Sequence, residues 1–169
     1  MTILARFVLI LSMLASATAL SAQSLPPPEG AVILTVTGPV TQANSDAGAT
    51  FDLAMLDALE QRVTRTETPW HEGMQEFTGP RLADIMAAAG ATGSGLRIIA
   101  INDYAATMPW EDVATTDVIL ATRQNGALMP VREKGPLFVI YPFGENPALS
   151  NEVYFSRSVW QVNAIEVLP

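Results

Sequence analysis

The sequence predicts a mixed α/β (α+β) domain, a single mixed β-sheet with helices packed on it. Three observations carry that expectation. Strand-like and helix-like segments alternate through the first half of the chain, strand-like segments dominate the second, and no internal repeat or low-complexity tract interrupts them.

The elements follow in order. "SLPPPEG" is proline-rich and polar, so residues 23–30 read as an extended tether. "AVILTVTG" is β-branched and apolar, a buried strand stopped by the turn signal Gly38-Pro39. "TQANSDAGAT" is a polar loop. "TFDLAMLDALEQR" sets Leu53, Leu56 and Leu59 at helical spacing, with Thr50 or Asp52 available as N-cap. Thr64, Thr66 and Thr68 alternate in "VTRTETP", which reads as a strand with one threonine-rich face or as a row of hydroxyls lining a pocket.

"EFTGPRLADIMAAAGA" carries the clearest helix. Pro80 suits its first position, Leu82, Ile85, Met86 and Ala89 share one face, and Gly90 supplies the stop. "LRIIAIN" is a strand. "TMPWEDV" opens a short helix, with Glu111 and Asp112 at its positive end. "DVILATRQNGALMP" is a hairpin around Asn125-Gly126, a pair that tolerates positive φ at both positions. "PLFVIYPF" and "SVWQVNAIEVLP" are the closing strands. Leu137 to Ile140 are apolar on both faces, which predicts a central strand covered on both sides.

The first residues stand outside this domain. Arg6 precedes an apolar run and then small residues, so residues 1–22 read as a signal peptide, with the mature chain beginning between Leu20 and Ser24. The alternative, a membrane anchor, is disfavoured because the apolar run is shorter than the ~20 residues a spanning helix needs. The expected location is periplasmic or secreted, with no membrane attachment after cleavage. Residues 31–169 form the single domain, long enough for one real core.

Composition removes several function classes. The formal charge of the 169-residue chain is −8, and losing Arg6 with the leader makes it more negative. Such a surface is a poor partner for nucleic acid, whose binding rests on neutralising phosphates. With no cysteine there is no disulfide, thiolate nucleophile or thiolate metal ligand. His71 is the sole histidine, which excludes a histidine-rich metal site. A hydrolase is weakly supported, because no nucleophile-elbow serine is present.

The ordered series "FTGPRLADIMAAAGA", "IAINDYAATMPWED", "VILATRQNGALMP", "KGPLFVIYP" and "VWQVNAIEV" resembles the oxidoreductase molybdopterin-binding domain, the central domain of sulfite oxidases and their bacterial relatives. The resemblance covers about residues 70 to 168. It implies that family's fold and, by default, its molybdopterin cofactor and redox chemistry. The departures are specific. The family holds molybdenum with a cysteine upstream of its Trp-Thr-Gly segment, whereas "TRTETPWHEGMQEFTG" has none. The arginine that follows Gly-Gly-Pro is missing. Asp-Gly-Tyr becomes Asn102-Asp103-Tyr104, and Arg157 is the one candidate for the family's lysine. A soft anionic ligand suits such a metal and cationic donors suit its phosphate, yet "FGENPALSNE" adds carboxylates.

The expectation is therefore an exported protein that kept the fold, holds no metal or cofactor, and serves as a non-catalytic accessory or small-ligand-binding protein. Its ligand would be small and anionic or polar, and a periplasmic protein partner is compatible. The alternative is a molybdopterin-dependent oxidoreductase with an unusual metal shell. The expected cleft is formed by Trp70, His71, Asp103, Tyr104, Arg132, Tyr141 and Arg157. In it Arg157 would clamp an anion or stack on an aromatic ring. Trp160 reads as core.

Overall fold

The computed structural model describes residues 24–169. The leader, and the cleavage assigned to it, lie outside the described residues. The class is the expected mixed α/β one, rich in strands and with short helices. The strands are distributed over three sheets rather than one.

The largest sheet runs β2-β1-β11-β5-β6. Its members are β1 (Leu34–Thr37), β2 (Ala49–Phe51), β5 (Gly95–Ala100), β6 (Ala105–Pro109) and β11 (Val162–Leu168). The pair β1 and β11 is parallel and the rest are antiparallel. Side chains alternate along these strands. Leu34, Val36, Leu96, Ile98, Ile165 and Val167 point into the core. Arg97, on the outer face, pairs with its cross-strand neighbour Glu166 at 3.3 Å. A second sheet joins β3 (Gln61–Thr68), β4 (His71–Pro80), β8 (Arg123–Gln124) and β9 (Ala127–Leu128). Asn125 and Gly126 make the β8–β9 turn with φ of +50° and +81°, as their sequence predicts.

The "LFVIY" segment is not the centre of a wide sheet. β10 (Phe138–Ile140) pairs only with β7 (Ile119–Ala121), in a two-stranded ribbon. It is nevertheless buried on both faces, because each face meets a different core. Leu137, Val139 and Tyr141 face the main cluster together with Val118 and Leu120. Phe138 and Ile140 face a second cluster with Ile119, Ala121, Phe77 and Met129. The ribbon is thus a wall between two apolar cores, which is why the strand carries no polar residue.

The helices are short. In α1 (Leu53–Ala58), Asp52 is the N-cap and accepts from the Met55 amide at 2.9 Å. Its second oxygen accepts the Glu29 and Gly30 amides at 2.9 and 2.7 Å. Together these bonds hold its carboxyl below the usual range. The 24–30 segment carries no helix or strand, and the Glu29 and Gly30 amides bond it onto the domain at Asp52. In α2 (Leu82–Ala88), Leu82, Ile85 and Met86 are buried as the spacing predicts. Pro80 does not begin this helix. It ends β4, and Arg81 takes the N-cap position, its guanidinium bonded to Asp84 at 2.9 and 3.1 Å. Gly90, at φ +60°, closes the helix with Gly90 N to Ala87 O and Ala91 N to Met86 O, a Schellman pattern. α3 (Trp110–Thr115) and α4 (Glu152–Arg157) complete the set. No helix among the described residues is long and apolar enough to cross a membrane.

Candidate functional site

An aromatic-walled cleft of about 370 Å³ opens where three segments meet. The β5–β6 turn contributes Ala100, Asn102 and Tyr104. α4 and the chain after it contribute Glu152, Phe155, Ser156, Ser158, Val159 and Trp160. The β3–β4 turn contributes Trp70.

Local chemistry sets each wall. The β5–β6 turn is tight because Asp103 sits at φ +64°, a conformation that Asp tolerates. The Asn102 side-chain oxygen accepts the Tyr104 amide at 3.2 Å and fixes the turn. Tyr104 then reaches across to α4, where its hydroxyl donates to the Ser156 carbonyl at 3.3 Å. Asn151 caps α4 by accepting the Val153 amide at 3.0 Å. Glu152, Phe155 and Ser156 follow at i, i+3 and i+4, one face of the helix, and that face lines the cleft. Trp70 packs its ring 5.8 Å from Trp160, 5.9 Å from Phe155 and 5.5 Å from Phe138. The first two pairs are edge-to-face, so the rings build a corner rather than a stack.

Of the residues expected at the cleft, Trp70 and Tyr104 line it. Asp103 shapes its turn. His71 follows Trp70 but turns toward the second core, its ring 5.8 Å from Phe77 and its Nδ1 2.8 Å from Thr68 Oγ1. The threonine row of β3 is a buried strand face and does not line the cleft. Arg132 projects into solvent beside Glu133. Tyr141 is fully buried and donates to Asp112 Oδ2 at 2.7 Å. Burial, followed by that bond, pushes its phenol well up. Arg157 donates to the same oxygen at 2.8 Å and lies over the Tyr154 ring. Tyr141 and Arg157 therefore do converge, but on an internal carboxylate that anchors α4 to α3. Trp160 is the opposite correction. It is 39% exposed and forms a wall of the cleft. Its backbone bridges to Phe138, so the β10 segment borders the cleft through this neighbour.

Burial lowers the His71 pKa below 6.5, with a smaller contribution from the Lys134 charge. The unfolded chain then binds this proton more readily than the folded one. The contribution is flat above the ordinary histidine range and becomes destabilising as pH falls through it, until the folded group is also protonated. His71→Gln should accordingly reduce the loss of urea midpoint between about pH 7 and about pH 5. An unchanged pH slope would show that His71 does not contribute.

The molybdopterin that the sequence resemblance implies makes specific demands on such a lining. Such a centre asks for a soft anionic ligand on the metal and for cationic donors around its phosphate. The sequence supplies no cysteine. The one ionisable carboxylate among the lining residues, Glu152, is anionic, and no lysine, arginine or histidine joins it there. Arg157 is committed to Asp112. Among the described residues, no group of three or more histidine, cysteine, aspartate or glutamate side chains is placed to hold a metal. The donor set does not fit the cofactor.

The family described as oxidoreductase molybdopterin binding domain matches residues 49–168. Among solved structures, the chain is similar to the sulfane dehydrogenase SoxCD from Paracoccus pantotrophus, at 20% identity and a TM-score of 0.58. That match covers 80% of this chain and 37% of the SoxCD chain. No curated protein matches.

Proposed function

This chain belongs to the oxidoreductase molybdopterin-binding domain family, and from that premise we propose that it is an exported, cofactor-free member whose cleft binds a small organic ligand without catalysis. The observation that carries the proposal is the lining of the cleft. Four aromatic side chains and one carboxylate stand around it, and Arg157 is withheld by Asp112. A concave, mainly apolar pocket with a few polar groups is the usual form of a small-molecule site. A polar ligand suits it, whereas an anionic one finds no lining cation. Export is supported by the leader-like residues 1–22. The sulfane dehydrogenase activity named for the structural neighbour does not transfer with a shared fold.

The test is expression in a molybdenum-replete host that makes molybdopterin, followed by metal analysis and a visible spectrum. The expected result is a colourless protein without molybdenum. Stoichiometric molybdenum with a visible chromophore would overturn the proposal in favour of an oxidoreductase with an unusual metal shell.

A further inference from the structure

We infer that the cleft selects a small organic cation with an apolar body, such as a quaternary ammonium compound, held by its aromatic walls and Glu152. This rests on the binding reading above and adds the chemistry of the ligand.

Three observations carry it. First, the aromatic walls stand at steep mutual angles, 69° between Trp70 and Trp160 and 78° between Trp70 and Phe155. A corner of this kind surrounds a rounded cation, whereas a stack of parallel rings would favour a flat molecule. Second, Glu152 brings the negative charge to the lining, and it enters no ion pair or side-chain hydrogen bond among the described residues. A carboxylate left free beside tryptophans complements a positive ligand and repels an anion. Third, the lining also carries the aliphatic residues Ala100 and Val159, which give the ligand's hydrocarbon part an apolar surface to cover. Lys134 Nζ lies 5.6 Å from the Trp160 ring centroid, so a ligand cation would meet the cleft's other aromatic rings rather than that face. The excess of acidic residues over the whole chain adds a long-range attraction for cations.

The experiment is a tryptophan-fluorescence titration of the full exported protein with choline and with 3,3-dimethylbutanol, which has the same shape and no charge. Choline should shift the emission saturably and bind about tenfold more tightly than the alcohol. Glu152→Gln should narrow that gap while leaving the thermal midpoint unchanged. Equal affinities, a gap that survives E152Q, or no saturable effect of choline would overturn the cation inference. Equal and saturable binding of both probes would leave the binding reading intact. That reading fails separately, on a molybdenum-containing chromophore in the purified protein.

Discussion

Asp112→Ala is expected to cost about 3–5 kcal/mol of folding stability, read as a fall in the urea midpoint. Asp112 is 6% exposed. Its Oδ2 accepts from the Tyr141 hydroxyl at 2.7 Å and from Arg157 Nη1 at 2.8 Å. Removing the carboxylate strands a fully buried phenol and a largely buried guanidinium, and the unpaired cation is the larger cost. Tyr141→Phe removes one partner and leaves the ion pair, so it should cost roughly 0.5–1.5 kcal/mol. If the two variants are equally stable, Asp112 is not the hub of this network. The consequence extends to the cleft, because Arg157 ends α4, whose opposite residues Glu152 and Phe155 line it. Asp112→Ala should therefore weaken ligand binding even where the protein remains folded.

Phe138→Ala is expected to be comparably damaging, at about 3–5 kcal/mol for a large buried aromatic. Phe138 is fully buried and meets Trp70, Phe77, His71 and Trp160, with ring centroids between 5.5 and 6.3 Å. It is the support beneath two walls of the cleft. Phe138→Leu keeps most of the volume and should cost less. The two substitutions should also differ spectroscopically. Alanine would let Trp70 and Trp160 relax into the vacated space and change their emission. If alanine and leucine are equally tolerated, the two tryptophans are not held from below by this ring.

Local chemistry was legible in the sequence wherever a single residue or a regular spacing decides the outcome. Gly90 ends α2 and Asp52 caps α1 through bonds to residues close in the chain, and Asn125-Gly126 turns β8 into β9 with positive φ at both positions. The burial of Leu137 to Ile140 was also readable, from apolar side chains on successive positions. That the strand sits in a ribbon between two cores, and not in mid-sheet, depends on partners far away in the chain. Pro80 shows the same limit. It is as compatible with the end of an edge-facing strand as with a helix start, and the pairing of β4 with β3 decides between them.

The site divides along similar lines. Trp70 and Tyr104 were legible through the motifs that hold them. The sequence does not reveal the partner of Arg157, because that acid lies 45 residues earlier, on another helix. The sequence reads Trp160 as core, although an aromatic residue with a polar edge is also at home in a cleft wall. The signal for the missing wall was present in "NEVYFSRS". A capping Asn151 followed by Glu152, Phe155 and Ser156 at i, i+3 and i+4 gives a helix face that is part carboxylate, part aromatic and part hydroxyl.

The central proposal is that the aromatic cleft of this family member serves a small organic ligand without pterin or metal. Native mass spectrometry of the protein purified from its own cells tests it most directly. The predicted spectrum is that of the polypeptide beginning between Leu20 and Ser24, alone or with a small organic ligand that is lost on mild activation. A spectrum dominated by polypeptide plus a molybdenum-bearing pterin would contradict the account.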